Sequence, residues 1–334
     1  RKPLGFWKTV LATFVGGLTA SIVFSVLAFF FLLSLLIGSL LSQSAPKTIE
    51  ENSVLKINLS SISELVTEDP WSTFLPSRGE GEQSISLTQA LAAIRKAKAN
   101  DRIRGIYLNL DSYSGGMAST ADLRAALLDF RSSGKFVVAY ADSYDQKAYY
   151  LSSVADQLIL NPEGSVGLVG LASSSLFYHQ ALEKLGLKAQ VFKVGTYKGA
   201  VEPFILDQLS EPNREQISVY LSGLWDFILR EVSASRSIPV DSLRSFADQG
   251  LAFSEAETFV RRRLVDTLAY RLDVEGLIAR RAGVSSPKDL HVVTLADLVN
   301  APDPLDATRK SKEDVVTVVY AEGEIGDNPL SSEG

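Results

Sequence analysis

The run "FKVGTYKGAVEPF", residues 192 to 204, sets Lys193 and Lys198 five residues apart among Val, Gly, Ala and Phe, with no carboxylate beside them until Glu202. A lysine can serve as a general base when it is neutral, and burial among apolar neighbours disfavours the charged form. Gly199, Ala200, Val201 and Phe204 offer Lys198 such neighbours, and Lys193, if close in space, adds a like charge that pushes the same way. These residue types permit a Ser-Lys dyad. They do not show one, since a lysine in a loop is ordinarily solvated.

Two further glycine-containing loops follow apolar runs, "DSYSGGMAST" at 111 to 120 and "NPEGSVGLVG" at 161 to 170. Loops at the carboxyl ends of parallel strands are where α/β proteins usually build sites. Gly115 and Gly116 precede a helical pattern, so their N–H groups either face an anion or a carbonyl oxygen or form a turn that needs positive φ. Glycines at 164, 167 and 170 miss the G-x-G-x-x-G spacing of a dinucleotide site, and a phosphate loop is absent as well.

The chain has no cysteine, which removes disulfides, thiolate nucleophiles and cysteine-ligated zinc together. His179 and His291 are its only histidines, and neither stands in a recognisable triad setting. We therefore expect no metal and no cofactor. The net charge is −6, yet Arg1, Lys2 and Lys8 give the first 46 residues +3, which leaves −9 on the rest. An acidic body of that kind does not suggest a nucleic-acid partner.

The elements that must position these residues read as an α/β fold with a largely parallel sheet. "SVLKINLSS", "GIYLNLD", "KFVVAYAD", "QLILNP" and "AQVFKV" read as strands. They alternate with the helical patterns "SLTQALAAIRKAKAN", with Ser86 as its cap, "STADLRAALLDFRSSG", closed by Gly134, "QKAYYLSSVA" and "SSSLFYHQALEKLGL". From Pro212 to about Ala282 every segment reads as helix, and the "RRR" at 261 to 263 reads as a solvated face.

Ahead of this body no charged residue occurs between Lys8 and Lys47. A bilayer core needs about 20 apolar residues in helix, so the run predicts a retained membrane anchor and not a cleaved signal. The basic residues before it place the amino terminus in the cytoplasm and the body outside. At the far end, "EDVVTVVYAEGEI" at 313 to 325 repeats the pattern of "NSVLKINLSSIS" at 52 to 63, which suggests the opening strand of a second unit. The expected division is an anchor over 1–46, a first α/β repeat over 47–211, a helical bridging segment over 212–300, and a linker with the first strand of a truncated second repeat over 301–334.

The anchor, "NLDSYSGGMAS", "AYYLSSVADQLILNPEGSVGLVG" and above all "FKVGTYKGAVEPF" resemble the signal peptide peptidase A family (peptidase S49) in its long, two-repeat, membrane-anchored form. The resemblance implies a Clp-protease/crotonase-like fold and a Ser-Lys dyad in which Lys198 is the general base. It places the nucleophilic serine in the second repeat, outside this chain. In the first repeat Gln146 stands at the corresponding place, and Ser143 and Ser152 lie nearby but outside the motif. The resemblance further implies an inner-membrane homo-oligomer acting on cleaved signal peptides or other membrane-held peptides. A crotonase-type acyl-CoA enzyme and a catalytically degenerate membrane scaffold are the rival readings.

Overall fold

The computed structural model describes residues 5–43, 48–65, 84–110, 113, 115–302 and 318–319. In chain order its elements begin with helix α1 (Phe6–Gln43), strands β1 (Ser53–Asn58), β2 (Ile62–Ser63) and β3 (Ile85–Ser86), helix α2 (Leu87–Ala99) and strand β4 (Ile103–Asn109). There follow α3 (Met117–Arg131), β5 (Phe136–Ala141), α4 (Gln146–Ser152), β6 (Gln157–Leu160), α5 (His179–Lys184) and α6 (Glu202–Ile205). The last group is α7 (Glu211–Arg236), α8 (Val240–Asp248), α9 (Ala256–Arg261), β7 (Thr267–Leu268), α10 (Arg271–Ala282), β8 (Val292–Thr294) and α11 (Leu295–Asn300).

The six strands of the main sheet run in the order β7-β6-β5-β4-β1-β8, and every pairing is parallel. Strand periodicity sends alternate residues to opposite faces. Leu55, Ile57, Ile106, Leu108, Val137, Ala139 and Leu158 join the larger core beneath α2, α3, α4 and α7, whereas Val54, Tyr107, Val138, Tyr140 and Ile159 pack against Val274, Ile278 and Ala282 of α10. With both faces covered, β4 to β6 need apolar residues at successive positions, which explains their continuous apolar runs.

Local signals hold at several element ends. Ser86 and Gln89 form a reciprocal capping box at the start of α2, and Gly134 takes φ +82 after α3. Lys96 donates to the carbonyls of Leu298, Val299 and Ala301 at the end of α11, and Lys135 to those of Ala97, Lys98 and Asn100 at the end of α2. Each ammonium thus meets carbonyls left open by a helix terminus.

Three expectations differ from the structure. Residues 189–194 form no strand, because the place beside β6 is taken by β7, and Phe192 and Val194 are left 96% and 90% exposed. The helix expected over 173–187 contracts to α5. The stretch after Pro212 is not helical throughout: β7 lies within it and β8 follows, and together they close both edges of the sheet. The proposed second-unit strand at 313–325 lies outside the described residues apart from Val318 and Val319.

Helix α1 contains a 29-residue stretch, Phe6–Ser34, long and apolar enough to cross a membrane, and none of it is buried by the rest of the chain. At 1.5 Å per residue this stretch covers roughly 44 Å, more than the hydrocarbon core of a bilayer.

Candidate active site

Lys198 lies between a glycine turn and a 3₁₀ turn at Gly199–Val201. On one side Gly195 adopts φ +103, and a Cβ there would touch the Lys198 Cγ at 3.6 Å, so the lysine stem folds back over a residue that must be glycine. On the other side Gly199 presses on Asn213: a Cβ would fall 2.3 Å from its Nδ2. The lysine backbone between them, at φ −87 and ψ 73, belongs to neither helix nor strand and is set by these two flanks.

Together with Phe192, Val194, Tyr197, Ser175 and Asn213, Lys198 lines a cleft of about 680 Å3. Among the described residues its ammonium makes no hydrogen bond and no ion pair. The desolvation asked of Gly199, Ala200, Val201 and Phe204 is not supplied by them, however. Lys198 is exposed and Phe204 is 45% exposed, because residues 189–194 join no sheet and the apolar walls of the cleft stand open to solvent.

Glu202, the nearest acid in sequence, does not pair with Lys198. Its carboxylate is wholly buried and accepts hydrogen bonds from Ser210 and Asn213 at the entry of α7. Burial alone would raise its pKa; these hydrogen bonds and the charge of Lys193 outweigh that and hold the carboxyl below its ordinary range. Lys193 thus acts electrostatically on Glu202. No motif marks this cluster, because it forms only where the lysine segment meets the entry of α7.

At the Gly115–Gly116 turn the Gly116 N–H faces an anion, and the anion comes from within the chain. Gly116 has φ −65 and caps α3, so no positive φ is needed. Its N–H donates to the Glu64 carboxylate at 3.2 Å, and the Ser119 hydroxyl donates to the same oxygen at 2.6 Å. The chain's own carboxylate occupies this helix start. These bonds, Ser119 foremost, hold the Glu64 carboxyl below its usual range.

Gln146 opens α4, and its side-chain oxygen accepts from the backbone N–H groups of Val169 at 3.2 Å and Gly170 at 3.0 Å. Its amide ties the third glycine loop to the helix. The neighbouring serines are engaged as well. Ser143 Oγ accepts from the Ser165 N–H at 3.1 Å, and Ser152, fully buried, donates to the Tyr149 carbonyl at 3.3 Å. His179 sits beside Asp207 on the surface, and the backbone carbonyl of His291 accepts from the Val54 N–H. Among the described residues no group of three or more His, Asp or Glu side chains could hold a metal ion.

Residues 129–285 match the family model "Peptidase family S49". The chain is 36% identical over 255 residues to "Protease 4" of Salmonella typhi, a match covering 73% of this chain and 40% of that protein. It is 31% identical over 209 residues to "Serine protease SPPA, chloroplastic" of Arabidopsis thaliana, covering 63% of this chain and 31% of that one. It therefore spans well under half the length of these relatives. Among solved structures, an enoyl-CoA hydratase from Shewanella pealeana is similar at 13% identity and a TM-score of 0.33, covering 60% of this chain and 65% of that one; so slight a likeness carries no argument.

Proposed function

Because the chain belongs to peptidase family S49, we propose that it supplies the general-base lysine of a membrane-bound serine endopeptidase, with Lys198 as that base. The nucleophilic serine lies in a second repeat beyond this chain, whose docking over the open cleft provides the desolvation that residues 192–204 lack. The observation that carries the reading is an ammonium with no hydrogen bond or ion pair among the described residues, set in an apolar-walled cleft while the neighbouring carboxylate is turned away. An ion pair would hold the proton on the amine.

In this scheme the neutral amine takes the serine hydroxyl proton as the serine oxygen attacks a peptide carbonyl carbon. The ammonium then returns that proton to the departing amine nitrogen as the peptide C–N bond breaks. Water, deprotonated by the same amine, then attacks the acyl carbon, and the amine returns that proton to the serine oxygen as the ester C–O bond breaks and the acyl group leaves as a carboxylic acid. Anchoring by α1, with the amino terminus in the cytoplasm and the body outside, suits cleaved signal peptides and other membrane-held peptides as substrates. The unpaired apolar segment at 189–194 suits a homo-oligomer.

Labelling by a fluorophosphonate, which acylates activated serines, tests the reading. The full-length protein should be labelled at one serine outside residues 1–334, and Lys198→Ala should abolish labelling. Absence of labelling in the unaltered protein would favour a scaffold or an acyl-CoA enzyme instead.

A further inference from the structure

Four residues beyond Lys198, the side chain of Glu202 has no exposed surface, and among the described residues it forms no salt bridge. Its Oε1 accepts from the Ser210 hydroxyl at 2.5 Å, and its Oε2 from the Ser210 backbone N–H at 3.1 Å and the Asn213 Nδ2 at 3.0 Å. A buried carboxylate is costly unless its lone pairs are met, and here three donors meet them. All three belong to the first turn of α7, a 26-residue helix whose amino-terminal dipole favours a negative charge.

Asn213 is shared between two residues of the lysine segment. Its amide donates to Glu202 and also lies against Gly199, where a Cβ would fall 2.3 Å from Nδ2. Residues 199 and 202 are therefore both referenced to one side chain at the start of a 26-residue helix whose other buried residues, Ile228, Leu229 and Val232, lie near its far end. Lys198 immediately precedes them, in a backbone conformation that no helix or sheet ladder maintains. If the Glu202 bonds are removed, Asn213 is free to turn, and the contact that fixes Gly199 goes with it.

We propose that Glu202 is a positioning residue for Lys198: through Ser210 and Asn213 it locks the lysine-bearing turn onto the first turn of α7, and it leaves the lysine unpaired. This rests on the reading of Lys198 as the base.

The test compares kcat and KM for a fluorogenic peptide in the full-length protein and in the variants Lys198→Ala, Glu202→Gln, Asn213→Asp and the double variant Glu202→Gln with Asn213→Asp. A misplaced general base costs turnover more than binding, so Glu202→Gln should lower kcat by about 10- to 100-fold and leave KM within about threefold. The double variant exchanges amide and carboxylate between two isosteric positions, remakes the hydrogen bond with its direction reversed, and should recover much of the lost kcat. Loss of fold stability alone would not be rescued in kcat at temperatures well below melting. Should Glu202→Gln fail to fold, Ser210→Ala, which removes the 2.5 Å bond together with the longer cap bond from the Asn213 N–H at 3.4 Å, is judged by the same criterion.

A kcat within about twofold of the unaltered enzyme, a rise in KM alone, or no recovery in the double variant would overturn the positioning role. With Lys198→Ala inactive, such a result would leave the lysine reading standing. Full activity in Lys198→Ala would overturn both.

Discussion

A lysine and a glutamate four residues apart would be expected to attract one another, yet Lys198 and Glu202 diverge. The carboxylate turns into the entry of α7 and the ammonium stays in the cleft. The motif singles out Lys198 as a candidate, but its exposure was not legible, because exposure depends on whether residues 189–194 find a sheet edge. The Gly115–Gly116 turn teaches the same lesson. Its N–H was legible as an anion donor, but the anion is Glu64, fifty-two residues away from Gly116 in sequence. Because hydrogen bonds from Ser119 and Gly116 depress the Glu64 pKa, this contact stabilises the fold above the ordinary carboxylate range, near pH 4.3, and is lost as pH falls through the depressed value. Glu64→Gln should accordingly flatten the acid side of the stability curve. Urea midpoints at pH 7 and pH 3 measure this, and an unaltered drop between them would contradict it.

At the level of elements, strands buried on both faces were readable and edge strands were not. β4 and β5 carry enough consecutive apolar residues to declare themselves, while β7 and β8, two and three residues long, have no period and exist only through their partners. Equally invisible was the tie among α3, α4 and α7. Arg124, 1% exposed, donates to the carbonyls of Tyr150 and Glu231 and to the hydroxyls of Ser153 and Ser235, with its guanidinium over the Tyr150 ring. In sequence it reads as a polar residue on an ordinary helix. Arg124→Met would remove the one guanidinium shared by two carbonyls and two hydroxyls between these helices, and the expected loss is about 3 kcal/mol, read from denaturant unfolding. A change below about 0.5 kcal/mol would mean that water or neighbouring groups take over its bonds.

Across the whole molecule, an apolar helix long enough to cross a bilayer precedes a closed parallel α/β unit, and from that unit the segment 169–206 projects without joining the sheet. Phe192, Val194 and Tyr197 remain exposed along it, around the lysine. A unit that keeps its core closed and leaves Lys198 in an uncovered apolar cleft is suited to act with a further surface, the proposed location of the serine. The measurement that tests this most directly is peptide hydrolysis by the full-length protein carrying Lys198→Arg. A guanidinium retains the charge and the reach but stays protonated and cannot accept the serine proton. If Lys198 is the base, Lys198→Arg should be as inactive as Lys198→Ala at every pH, with the fold intact by circular dichroism. Near-normal hydrolysis by Lys198→Arg would contradict it.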